Sequence, residues 1–213
     1  MSTHTGTRRR SRKASAIIAS TAVLGIAAGA TLATWTITEF VSGSFQTGST
    51  PTDENGNAQS IEGSLDGVSF GGHYSADSSL PLSFTGKDTT ALAGNDTVAA
   101  PYALRATSGT TITPTISVGS DLGQGQTSNG LTYSVYTIKN FSDCTPAISA
   151  ATVGASFVGT AELGTELTGT FNLPAGSSSA PGSTQNVCVT VHVPDTAAQG
   201  TLTEAKFKFA AQQ

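Results

Sequence analysis

From Ile61 onward the chain is a string of short runs in which apolar and polar residues alternate. Each run is closed by Gly, Asn, Asp or Pro. Alternation at period two sends successive side chains to opposite faces, so these runs read as half-buried β-strands. The cleanest is "NVCVTVHVP", where Val187, Val189, Val191 and Val193 alternate with Cys188, Thr190 and His192. "TLTEAKFKFAAQQ" sets Ala205, Phe207, Phe209 and Ala211 against Glu204, Lys206 and Lys208. Leu80, Leu82 and Phe84 share a face in "LPLSF"; Val98, Tyr102 and Leu104 are in phase in "VAAPYALRA". Ile112, Ile116 and Val118 follow in "TITPTISV", and Leu167, Phe171 and Leu173 in "LTGTFNLP". Pro101 and Pro114 cannot donate ladder hydrogen bonds, which places an edge or a bulge at each. In "LTYSVYTI" the apolar parity switches after Val135, which predicts a bulge there. Only Ala147 to Leu163 is ambiguous, with room for a short helix.

Eight or more short strands at this spacing predict an all-β fold, an antiparallel two-sheet jelly-roll-like sandwich. The absence of long amphipathic patterns excludes a doubly wound α/β fold. Composition agrees: charged residues are only 11% of the chain, and Thr and Gly are abundant, which favours strands and turns over helices.

Charge is distributed unevenly. Arg8, Arg9, Arg10, Arg12 and Lys13 hold half of the ten basic residues, while all fourteen acids lie at Glu39 or later. Beyond residue 33, five basic residues face fourteen acidic ones, a balance of −9. Such a surface repels phosphate backbones, so nucleic acid is not an expected partner.

The basic head "RRRSRK" is followed by an uncharged small-residue run, Ala14 to Ala33, in the order of a secretory signal. Cleavage sites fit after "AGA" at Ala30 and after "TLA" at Ala33, the latter leaving Thr34 as the new amino terminus. An uncleaved anchor would also be long enough, but the run has few of the large apolar residues that hold a membrane span. Twin-arginine export lacks its apolar residues after the arginine pair. The expected organisation is therefore a helical signal peptide over 1–33, a strand and polar linker over 34–60, and a β-sandwich domain over 61–213. An exported protein with two cysteines, Cys144 and Cys188, is expected to join them in a disulfide; two buried free thiols are the alternative.

After the signal, "TWTITEFVSGSF" puts Trp35, Ile37, Val41 and Phe45 on one parity, interrupted by Glu39 and Gly43, with Phe40 on the other. Polar, turn-rich Gln46 to Ser60 follows as a loop or tether. Its "DENGN" fails the spacing of a calcium loop. "GVSFG" matches G-x-S-x-G around Ser69, with His73 nearby, but the nucleophile elbow needs a strand-to-helix turn that this pattern does not offer. His4, His73 and His192 are too dispersed for a zinc site. Glu162 and Glu166 form at most an exposed acidic pair. "LPAGS" lacks the Thr and the apolar tail of a wall-sorting signal. No enzyme, metal or cofactor is expected from these residues.

"GATLATWTITEFVSGSF" resembles the signal-to-mature junction of bacterial proteins with the SipW-type signal peptide, the TasA/camelysin-like family. There an aromatic follows the signal closely and a segment F-x-S-G-x-(F/L) comes next, here Phe40, Ser42, Gly43 and Phe45. "QGTLTEAKFKFAAQQ" resembles the last strand of that family; "AGNDTVAAPYALRATSG" is similar only loosely to its middle. The resemblance implies a secreted jelly-roll subunit, released by a dedicated signal peptidase cutting after Ala33. It also implies assembly into biofilm-matrix fibres, with the amino-terminal strand of one subunit added to the next. Trp35, Ile37, Val41 and Phe45 would then be the anchors of strand exchange, an addition that also suits an open sheet edge physically. The same strand folding back into its own sheet is the competing expectation. A monomeric secreted adhesin, with contacts between Asp121 and Leu163, is the alternative function. The protease label attached to camelysin-like members finds no zinc-binding motif here.

Overall fold

In a computed structural model, residues 36–41 are described as a backbone ladder and residues 60–73, 79–197 and 203–212 in full. The chain divides between Thr34 and Trp35, and everything described belongs to the unit Trp35–Gln213. The predicted signal helix, the Ala33–Thr34 junction, Trp35, Phe45 and most of the polar linker lie outside the described residues.

Among the described residues nine strands form two antiparallel sheets: β1 (Thr36–Val41), β2 (Ile61–Ser64), β3 (Thr97–Ala106), β4 (Thr115–Leu122), β5 (Thr132–Ile138), β6 (Ser156–Glu162), β7 (Glu166–Asn172), β8 (Gln185–His192) and β9 (Ala205–Gln212). One sheet has the order β1-β9-β4-β7 and the other β2-β3-β8-β5-β6. The ladders β1–β9, β3–β8, β4–β7 and β5–β6 are nested like the rungs of one long hairpin. Rolling that hairpin up brings β4 against β9 and β5 against β8. This is a jelly roll, as the alternation predicts, with β2 added at one edge.

The main core lies between the sheets, and β9 supplies its aromatic centre. Phe209 stacks on Tyr102 of β3, with ring centroids 5.7 Å apart, and Phe207 meets Tyr133 of β5 edge-on at 5.3 Å. All four rings are buried. Tyr133 keeps its hydroxyl satisfied by donating to the Thr165 carbonyl at 2.8 Å. Burial pushes its phenol up to about 12.

Several local expectations are met or corrected by the ladders. Pro101 shares parity with Ala99, whose N–H and C=O both turn to Thr85. Its missing donor therefore falls on the edge side, between the Thr85 bridge and the β2 ladder, where an edge was expected. Pro114 stands just before β4, and Ile112 is left outside the strand and exposed. The register shift beside Val135 is present, but the extra residue is Val158 on β6. Tyr136 and Ile138 need no parity switch, because the outer face of β5 is covered as well. "LPLSF" forms no ladder, and the residue after it, Thr85, makes a single bridge to Ala99, although Leu80, Leu82 and Phe84 do pack on the core. Between Ala147 and Leu163 there is no helix; turns lead into β6.

The edge where β6 turns into β7 is closed by backbone contact. A Cβ at Gly169 would sit 1.7 Å from the carbonyl oxygen of Val158, so only glycine lets β7 approach this bulged residue. The Val158 carbonyl thus lies within Cα–H···O reach of Gly169.

Candidate functional site

The candidate site is β1 and the side of β9 on which it lies. Thr36 faces Gln212, Ile37 faces Ala211, Thr38 faces Ala210, Glu39 faces Phe209, Phe40 faces Lys208 and Val41 faces Phe207. Ile37 and Val41, two of the expected anchors, thus hold register positions opposite buried residues of β9, and Phe40 opposite a residue of the outer row. Within the single chain, these six residues pair with the chain's own β9. Among the described residues β1 has no second ladder partner, so it is an edge strand. Without β1, the N–H and C=O groups on that side of β9 would lose their partners along the hydrophobic centre of the sandwich, a strong template for another strand.

The opposite face of β9 is electrostatically tied down. Lys208 lies 3.3 Å from both Asp121 and Glu166. Partial burial works against its charge, but the two carboxylates outweigh this and raise its pKa. Gly119 makes room: a Cβ there would stand 2.6 Å from Cε of Lys208. The charge of Lys208 on the outer row of β9 is therefore neutralised within the sheet it belongs to.

Cys144 and Cys188 are joined, with Cα atoms 5.2 Å apart. The bond lies outside the main core. It fixes the segment between β5 and β6 onto the outer face of β8, where Ala99, Ile138, Ile148 and both cysteines form a second apolar cluster. Sequence reading finds the cysteine pair but not this layer, because Ile148 lies in a turn with no strand periodicity around it. The closed loop has a sequence separation of 44, so removing the bond in Cys144→Ser/Cys188→Ser is expected to cost about 4 kcal/mol. Denaturant titration reads that loss, and amide exchange should accelerate first between Lys139 and Ala155.

Ser69 sits in a loop whose ends are tied by paired backbone bonds between Gly63 and Gly71, not on a strand-to-helix elbow. Its N–H and that of Val68 both donate to Asp66, at 2.7 and 2.8 Å, and the Ser64 hydroxyl adds a third bond. These bonds, the Ser69 N–H first, hold the Asp66 carboxyl far below the ordinary range. His73 lies beside Gly71 at the foot of that loop. His192 is half-buried on β8 and shares a hydrogen bond with Thr97 at 3.1 Å. Glu162 and Glu166 flank the β6–β7 turn; Glu162 accepts from Ser128, and Glu166 pairs with Lys208. Among the described residues no three His, Cys, Asp or Glu side chains converge as a metal site would require. No described helix is long and apolar enough to cross a membrane. "DENGN" lies outside the described residues.

Comparison of the chain with family models, with curated proteins and with solved structures finds no match in any of the three.

Proposed function

We propose that this protein is an exported, non-enzymatic structural subunit of the cell surface or extracellular matrix, assembling with copies of itself through its amino-terminal strand. The observation that carries this reading is the place of β1: an edge strand near the start of the chain, paired on one side only. A strand from a second copy would form the same six-residue ladder on β9, with backbone bonds supplying affinity and alternate side chains supplying register. The signal-like segment before it supports export, with a signal peptidase releasing Thr34, and the polar run Gln46 to Ser60 has the composition of a linker through which the strand would reach a neighbour.

The test is electron microscopy of protein beginning at Thr34 beside protein beginning at Gln46. Fibres from the first and single particles from the second are the expected result. Single particles from both, at high concentration, would overturn assembly through β1. A monomeric secreted binding module would then take its place, favoured by Val153, 94% exposed, and Phe157, 50% exposed, in the segment between Asp121 and Leu163.

A further inference from the structure

We propose that Ser60 is the fixed root of the amino-terminal arm, so that β1 can leave the chain's own β9 for that of a second copy while the sandwich beyond stays closed. This rests on the assembly reading above and adds the device that keeps exchange local. The basis is a buried hydroxyl cluster at the point where the chain enters β2. Thr110 is fully buried, and Ser60 is 8% exposed. The Ser60 N–H donates to Thr110 Oγ1 at 2.9 Å, and the Thr110 hydroxyl donates back to the Ser60 carbonyl at 2.9 Å. One side chain thus takes both backbone groups of a residue, as a neighbouring strand would. The Thr107 N–H reaches the same carbonyl at 3.0 Å, and Thr107 Oγ1 lies 3.0 Å from Ser60 Oγ.

The grip is itself anchored from behind. The Gly176 N–H donates to the Thr110 carbonyl at 2.8 Å, and the Gly109 N–H to the Ser177 carbonyl at 2.7 Å, so the connection between β7 and β8 backs the cluster. One residue beyond Ser60, Ile61 is fully buried in the main core, and Gly63 exchanges both of its backbone bonds with Gly71. These ties matter because β2 is only four residues long. It stands at the edge of one sheet, in contact with β1 at the edge of the other. A short edge strand beside a departing neighbour is the first place a sheet opens. Undocking β1 breaks none of the bonds at Ser60. Release of Ser60 breaks all of them and takes two partners from the buried Thr110 hydroxyl, a costly loss in the interior. The boundary between the part of the chain that transfers and the part that stays therefore falls just before Ser60.

Amide exchange in the dilute full-length chain tests this. Thr38→Pro/Glu39→Pro removes two adjacent backbone donors of β1, one of which faces β9 in an antiparallel ladder. Exchange is expected to quicken at the amides of Ala205–Gln212 that face β1, while Ile61–Ser64 stays within about twofold of the parent. A rise of about tenfold or more at Ile61–Ser64, or no change on β9, overturns the proposal. The grip is read separately. Thr110→Val keeps the shape and deletes the hydroxyl, so exchange over Ser60–Ser64 should rise about tenfold, and Thr110→Ser should restore it. Parent-like exchange in Thr110→Val overturns Ser60 as the root. Should Thr110→Val not fold, Thr107→Val removes the other hydroxyl and is read in the same way. All of this is measured on separate chains, so absent fibres with an intact root would count against assembly and not against the root.

Discussion

Phe209→Ala is expected to lower stability by about 3–5 kcal/mol, the range for deleting a buried aromatic ring, and the melting temperature by roughly 10 °C. Phe209 is fully buried, stacks on Tyr102 and lies on the strand that pairs with both β1 and β4. Its loss opens a cavity where the two sheets meet, at a point where neither neighbour can collapse without breaking a ladder. Phe209→Leu, which keeps most of the volume, should recover about half of the loss. Denaturant titration of the three proteins checks the order. A Phe209→Ala protein within 1 kcal/mol of the parent would mean that the aromatic centre does not hold the sheets together.

Gly169→Ala is the second large effect, and its cause is geometric rather than hydrophobic. The added methyl carbon would occupy a point 1.7 Å from the Val158 carbonyl oxygen and 2.8 Å from its carbon. Both are backbone atoms, so no side-chain rotation relieves the overlap, and β6 and β7 must separate. A loss of about 3 kcal/mol or more is expected, at the upper end of single-residue overpacking. Gly125→Ala is the control for a generic glycine effect. Unlike Gly169 it has positive φ, but a Cβ there meets nothing within 4 Å, so it should cost only local strain of about 1 kcal/mol. Thermal unfolding of the two variants decides the matter, since equal melting temperatures would remove the special role of the β6–β7 crossing.

Both positions show where sequence is informative and where it stops. The parity of Phe207 and Phe209 is visible in "KFKFA", and the burial of that face follows from alternation alone. The strand "NVCVTVHVP" is equally plain, and Val187, Val189 and Val191 do line the core. What alternation does not carry is the identity of each strand's partner, so neither Gly169 nor Gly119 could be told from an ordinary turn glycine. The same limit hides the second apolar layer. Cys188 and Thr190 have the parity of a solvent face, yet the segment carrying Cys144 and Ile148 returns to cover it. Ile112 failed in the other direction: its phase with Ile116 was correct, but Pro114 lies between them and the ladder begins only at Thr115. For the candidate site, sequence marked Ile37 and Val41 as one set, and the ladder puts both opposite the buried residues of β9.

The nested ladders also set a timetable for biosynthesis. Thr36 pairs with Gln212, so the two halves of that rung are made 176 residues apart. At about 5–20 residues per second, β1 waits roughly 10–35 seconds before its own partner exists. Throughout that interval a six-residue stretch with strand character has no native mate. Its threonines and its one acid, Thr36, Thr38 and Glu39, make it a poor nucleus for premature pairing while it waits. The rung made first in sequence is thus the last that a newborn chain can close.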